Sequence, residues 1–227
     1  MTPHGPIYCE TGHPWLFMAE PVNTLTNIFI IIAAILALRE VRRARIGMPL
    51  DLAVLLFLLF ATGIGSFAWH GLRVPLALAF DALPGLLFLF AMAGLWFRAL
   101  FGSLAGLLGA VGTIALAAAS IFLWRRYGPN MQGMPPAFGF LPAFFAIAAL
   151  GFVLAAVTRA RFGAGVAALG FVAVLCGVAA ATARSVDLLT CRTIPFGTHF
   201  LWHMLLSLAA YLGIVMLTRM KNSTPIQ

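Results

Sequence analysis

The sequence predicts an all-α membrane protein, a bundle of seven transmembrane helices with its N-terminus outside and its C-terminus in the cytoplasm. Three observations predict this fold class. The 227-residue chain is 63% hydrophobic and only 9% charged, and its mean hydropathy is +1.03. Long apolar segments alternate with short breaks that contain arginine. Because a soluble domain carries roughly 25% charged residues, this chain has too little polar surface for a water-soluble globule.

Seven segments approach the roughly 20 apolar residues that a helix needs to cross a bilayer. They cover residues 21–38, 52–72, 78–97, 104–124, 137–157, 164–182 and 198–218. The first segment begins with polar residues, which indicates that its start faces polar surroundings. We therefore expect an extramembrane segment at 1–20 packed near the functional site, a membrane domain at 21–218 and a short cytoplasmic tail at 219–227.

The distribution of basic residues predicts the orientation. Short cytoplasmic loops carry an excess of Lys and Arg, and the densest basic cluster is the turn at 39–45 that follows the first segment. The N-terminus has no basic stretch before an apolar core, so no cleavable signal peptide is expected. The net charge of +8 comes mainly from arginines near segment ends. No basic patch with interleaved aromatic residues is present, which argues against nucleic-acid binding.

Five polar residues within apolar segments are predicted to lie at one membrane depth. An ionisable residue inside the membrane is a candidate functional residue because its burial is costly. With this orientation, three segments bring their polar residues to the outer face: Ser66, His70, Asp81, His199 and His203. Each residue alone is compatible with ordinary helix packing. Their convergence favours a metal site instead.

The spacing of these residues suggests a specific chemistry. His199 and His203 are four residues apart, so they lie on one face of a helix. With His70 they would form a three-histidine zinc site that leaves a position for water. Asp81 would carry the proton from that water to a leaving group, and Ser66 would hydrogen-bond a developing oxyanion. The alternatives are a seven-span sensor with structural zinc and a haem-binding electron carrier, in which Asp81 and Ser66 have no role.

Cysteines and one further aspartate complete the outer face. Cys9 and Cys191 both lie on the predicted outer side, where an oxidising compartment would allow a disulfide. The alternative is two unpaired thiols, and Cys176 in mid-segment is expected to be a buried thiol. Asp187 has Arg184 and Arg192 nearby in sequence, and we expect it to pair with them.

Several of these residues form motifs that resemble those of the alkaline ceramidases. This family belongs to a wider superfamily of seven-span hydrolases that includes the adiponectin-receptor-like proteins. The resemblance covers essentially the whole chain and keeps the order of the motifs. The matching elements are Ser66-x3-His70, Asp81 eleven residues later, His199-x3-His203, Tyr8-Cys9-Glu10, and Glu20-x2-Asn23-Thr-x-Thr-Asn27.

The resemblance implies zinc bound by the three histidines, with Ser66 and Asp81 at the water. It also implies a membrane lipid as substrate, namely ceramide or a related N-acyl lipid, whose amide is hydrolysed to a fatty acid and a sphingoid base or other amine.

The resemblance further implies a calcium ion near the zinc. Its ligands would be Glu10, Glu20 and the carbonyl of Tyr8. This chain has Ile7 and Gly12 where the family has an aspartate and an asparagine. A purely structural role for Glu20 and the nearby asparagines is the alternative.

Overall fold

The computed structural model describes residues 7–10, 18–129 and 132–223. Seven of its helical segments are long and apolar enough to cross a membrane, which confirms the predicted fold of seven transmembrane helices. Within the described ranges the regular structure is entirely helical. The helices are α1 (Pro21–Thr26), α2 (Ile28–Arg43), α3 (Leu50–Leu72), α4 (Pro75–Phe101), α5 (Ser103–Tyr127), α6 (Leu141–Phe162), α7 (Ala164–Thr190) and α8 (His199–Asn222), with a 3₁₀ turn at Pro136–Phe140 before α6.

Most helices are longer than the apolar segments that predicted them. Basic residues expected in loops instead occupy the last helical turns, as Arg98 does in α4. A cation is favourable there because the helix dipole is negative at its C-terminal end. Arg184 was expected in a loop but lies inside α7. Helix α8 continues to Asn222, so the tail expected from residue 219 begins within that helix.

The first span is interrupted at Asn27, which separates α1 from α2. Glu10 caps α1 by accepting hydrogen bonds from the backbone N–H groups of Val22 and Asn23, at 2.6 and 2.8 Å. The Thr26 hydroxyl donates back to the Val22 carbonyl. The polar start of the first span thus faces the protein's own polar groups.

The apolar core lies toward the other end of the bundle from these polar residues. It is formed largely where α2, α3 and α8 pack together, and includes Val41, Leu52, Leu55, Ile214 and Leu217. At the end of the bundle that holds this core, Asp51 at the start of α3 pairs with Lys221 at the end of α8, at 2.7 Å. One end of the bundle is therefore held by apolar packing, which leaves the other end for polar chemistry.

The predicted disulfide is confirmed, because Cys9 and Cys191 are bonded to each other. The bond ties the N-terminal segment to the turn that follows α7. Cys176 is the free cysteine, and it is partly buried within α7.

We expect purified protein to show one reactive thiol when unfolded without reductant and three after reduction. Only Cys176 is unpaired before the disulfide is opened. Counting thiols with a chromogenic reagent in detergent tests this. A Cys176→Ala variant should show no reactive thiol without reductant and two after reduction. Three thiols without reductant would contradict the pairing.

Candidate metal centre

Three histidines from two helices meet at the polar end of the bundle. His70 lies in the last turn of α3, His199 is the first residue of α8, and His203 follows one turn later. Their ring centroids are 4.8 to 5.1 Å apart, and one ligand nitrogen from each lies within 4.8 Å of the others. All three side chains are almost completely buried. The predicted ligand set is therefore assembled in one place.

The ring nitrogens of this cluster are arranged as metal ligands usually are. Nδ1 of His70 lies 2.5 Å from a Glu20 carboxylate oxygen, and Nδ1 of His203 lies 2.9 Å from the Thr26 hydroxyl. Such partners orient a histidine so that its other nitrogen faces the metal. Among the described residues, Nε2 of His203 and Nδ1 of His199 are buried without a hydrogen-bond partner.

Buried polar atoms without partners are costly, and a metal ion bound by three imidazoles would satisfy them. The donor set fits zinc, which takes three protein ligands in catalytic sites. A porphyrin between two of these rings would need them farther apart, so the geometry favours a small ion over haem.

Tyr8 covers the histidines from the N-terminal segment. Its ring centroid lies 4.0 Å from that of His199 and 5.3 Å from that of His70. Burial raises the pKa of the Tyr8 hydroxyl above its ordinary value. The chain before the first span therefore packs directly on the cluster.

Glu20 connects the same segment to α3. Its backbone N–H donates to the His70 carbonyl at 3.0 Å, and its carboxylate contacts the His70 ring. Burial raises the pKa of Glu20 to about 7, while the charge of Arg73 and a hydrogen bond from Asn23 act in the opposite direction.

Ser66 and Asp81 lie beside the cluster because α3 and α4 approach closely. Ser66 is buried one turn before His70, and its side chain interacts with that of Asp81. Asp81 itself is only partly buried. The close approach depends on Gly65, where a Cβ atom would overlap the Phe80 carbonyl and lie 2.8 Å from the Asp81 nitrogen. Both atoms belong to the backbone, so a side-chain rotation cannot relieve the overlap.

We expect Gly65→Ala to displace Asp81 from Ser66 and to lower stability by about 1–3 kcal/mol, the usual cost of overpacking. Thermal unfolding in detergent measures the loss of stability. Gly112→Ala in α5 is the matched control, because a Cβ atom at that position meets nothing within 4 Å. Equal melting temperatures for the two variants would show that α3 and α4 can separate without cost.

Asp187 does not pair with Arg184 or Arg192, so that prediction is wrong. Its buried carboxylate instead accepts backbone hydrogen bonds from Cys9 at 2.8 Å, Thr198 at 2.6 Å and His199 at 2.8 Å. These N–H groups lie at the N-terminal end of α8 and in the N-terminal segment, where they have no helical partners. Asp187 therefore holds His199 and the disulfide in position.

The expected calcium ligands are already engaged with the protein. Both oxygens of Glu10 cap α1, and both oxygens of Glu20 contact donors of the chain. Ile7 is 46% exposed and supplies no oxygen from its side chain, and Gly12 lies outside the described residues. Calcium requires six to eight oxygens, and the described residues do not form such a set.

Three functional contacts were not predicted from the sequence. They are the contact of Thr26 with His203, the contact of Glu20 with His70, and the contact of Asp187 with the start of α8. The polar start of the first span was the one available signal for the first two. For Asp187 the nearby arginines suggested an ion pair, whereas its actual partners are backbone N–H groups.

In a comparison with known protein families, residues 8–225 match the family described as Ceramidase. A search among curated proteins returns no significant match to the chain. The family match covers all seven spans and every residue of the histidine cluster.

Proposed function

The chain belongs to the ceramidase family, and we propose that it is a zinc-dependent intramembrane hydrolase of ceramide or a related N-acyl lipid. The products are a fatty acid and an amine, which is a sphingoid base when ceramide is the substrate. The observation that carries the proposal is the buried cluster of three histidines next to Ser66 and Asp81. Those two residues would have no evident role in a purely structural metal site.

His70, His199 and His203 would hold the zinc ion. Zinc in such a site lowers the pKa of water and polarises a carbonyl. Asp81 accepts a proton from the attacking water as its oxygen bonds to the amide carbon. Ser66 donates a hydrogen bond to the carbonyl oxygen as negative charge develops there. Asp81 then returns the proton to the amide nitrogen, the C–N bond breaks, and the carboxylic acid and the amine leave.

The exposure of α4 supports access of the substrate from the bilayer. Most of the side chains in the first two turns of α4 are exposed, among them Leu76, Leu78 and Phe80. Asp81 follows directly and is partly exposed, whereas Ser66 and the histidines are buried. A lipid amide moving along α4 therefore meets Asp81 first, with its acyl chains still among apolar side chains.

The disulfide supports an active site near the outer face of the membrane. Cys9 and Cys191 lie at the same end of the bundle as the histidines, and disulfides persist in oxidising compartments. This orientation places the C-terminus in the cytoplasm. A reporter that fluoresces only in the cytoplasm, fused after Gln227, should be active. A silent fusion in a chain that is inserted and expressed would reverse the orientation.

The decisive test is release of fatty acid from ceramide and from other N-acyl lipids by the purified protein. We expect release that stops when a chelator removes zinc and returns when zinc is added. Zinc-loaded protein that hydrolyses none of these lipids would overturn the proposal. That result would favour the sensor, in which zinc is structural.

A further inference from the structure

We propose that the guanidinium of Arg73 is the resident cation beside the histidine cluster, and that this chain therefore uses no calcium there. Arg73 is a positioning residue, because it acts on Glu20, and Glu20 acts on His70. Only the effect of this arrangement on catalysis depends on the proposed function. The cation site itself follows from the contacts of the described residues.

Arg73 forms an ion pair with a buried carboxylate. Its Nε lies 2.9 Å from Oε1 of Glu20, whose side chain is only 3% exposed. The other oxygen, Oε2, contacts Nδ1 of His70 at 2.5 Å and accepts from the Asn23 amide at 3.1 Å. A buried carboxylate is costly unless it is paired and hydrogen-bonded. Arg73 supplies the positive charge, so Glu20 can remain against the imidazole.

The position of Arg73 is constrained by several independent contacts. It is the C-terminal cap of α3 and has a φ of 55°, in the left-handed region where non-glycine residues are uncommon. Its guanidinium carbon lies 4.3 Å from the ring centroid of Trp69 and 5.2 Å from that of Tyr8. A planar guanidinium suits such stacking better than an ammonium does. The rings and Glu20 together hold the cation in one place.

This place overlaps the one where calcium was expected. Arg73 pairs with Glu20, one of the three expected ligands, and it also lies over the ring of Tyr8, whose backbone carbonyl was expected as another. The third, Glu10, uses both oxygens to cap α1. A divalent ion brought beside Glu20 would be repelled by the guanidinium. The arginine thus supplies the charge that a calcium ion would supply, without a solvent-derived ion.

A calcium titration of the substrate-free, zinc-loaded protein is the first test. Metal ions are first removed with a chelating resin, which leaves no soluble chelator to bind the added ions, and zinc is then restored. Calcium is then raised to about 10 mM, above the weakest protein calcium sites at about 10⁻³ M. We expect no saturable binding of radioactive calcium and an unchanged melting temperature. One bound calcium per chain, with a rise in melting temperature, would overturn the proposal.

Variants of Arg73 form the second test, with zinc affinity as the readout. Arg73→Met removes the charge and should weaken zinc binding about 10- to 100-fold, as loss of a residue that orients a ligand usually does. Arg73→Lys keeps the charge but loses the planar stacking, so a smaller loss is expected. Arg192→Met, at an exposed arginine near the disulfide, is the matched control.

Zinc affinity of Arg73→Met equal to that of Arg192→Met would contradict the positioning role. If the methionine variant does not fold, Arg73→Lys remains, and wild-type zinc affinity there with no loss of thermal stability would also contradict it. No substrate is present in either test. A protein that hydrolyses no N-acyl lipid would therefore refute the proposed function and leave these results standing.

Discussion

Replacing His203 by alanine is expected to remove zinc and reduce hydrolysis of N-acyl lipids to the uncatalysed background. His203 lies 4.8 Å from each of the other two histidines, between ring centroids, and Thr26 already orients its ring. Two remaining imidazoles are fewer than the three protein ligands of catalytic zinc sites. Zinc content by mass spectrometry should fall from one ion per chain to nearly none, together with fatty-acid release.

Met204→Ala is the matched control for this variant. Met204 is the next residue of α8, but its side chain is 36% exposed, so its truncation leaves the histidine cluster untouched. The control should keep its zinc and its activity. A His203→Ala protein that retains one zinc ion per chain would place the metal elsewhere.

Replacing Asp81 by asparagine is expected to separate metal binding from catalysis. Asparagine has a similar shape but cannot take up a proton, so the step from water to leaving amine loses its carrier. Positioned acid–base groups contribute about 10²- to 10⁴-fold to a rate, and we expect a loss of that size. Zinc content should stay at one ion per chain, because Asp81 is not one of the three clustered ligands.

Asp51→Asn is the control for Asp81→Asn. It makes the same chemical change at the other end of the bundle, where Asp51 pairs with Lys221. We expect a modest loss of stability there and full turnover of bound substrate. Full activity in Asp81→Asn would refute its role as the proton carrier. If both variants were inactive, the loss would have to be ascribed to general damage to the bundle.

The helical fold was predictable because each span is a local apolar pattern, and the histidine cluster was predictable because each of its members stands out within such a span. Bilayer thickness requires long apolar segments, and a histidine inside one is rare enough to stand out. The spacing of His199 and His203 shows directly that they share a helix face. The pairing of Cys9 and Cys191 was predictable because the expected orientation places both on one side of the membrane.

The contacts that support the clustered histidines were less predictable, because they join residues far apart in the chain. Glu20 and His70 are separated by 50 residues, and Thr26 and His203 by 177. Asp187 had two arginines within five positions and still bonded to backbone groups of another element. A carboxylate can stabilise the protein more by accepting hydrogen bonds from the free N–H groups of a helix end than by pairing with a solvated cation. A local sequence pattern does not reveal which of the two partners the carboxylate takes.

The division of the centre between the two ends of the chain has a consequence for biosynthesis. Glu20 and Thr26 belong to the first span or its approach, whereas His199 and His203 lie in the last. During translation the early helices enter the bilayer before the last one has been synthesised. Their polar groups then lack partners until the last helix is inserted, and only that helix completes the histidine cluster. A chain truncated before residue 199 should therefore be unstable in the membrane and an early target for proteolytic quality control.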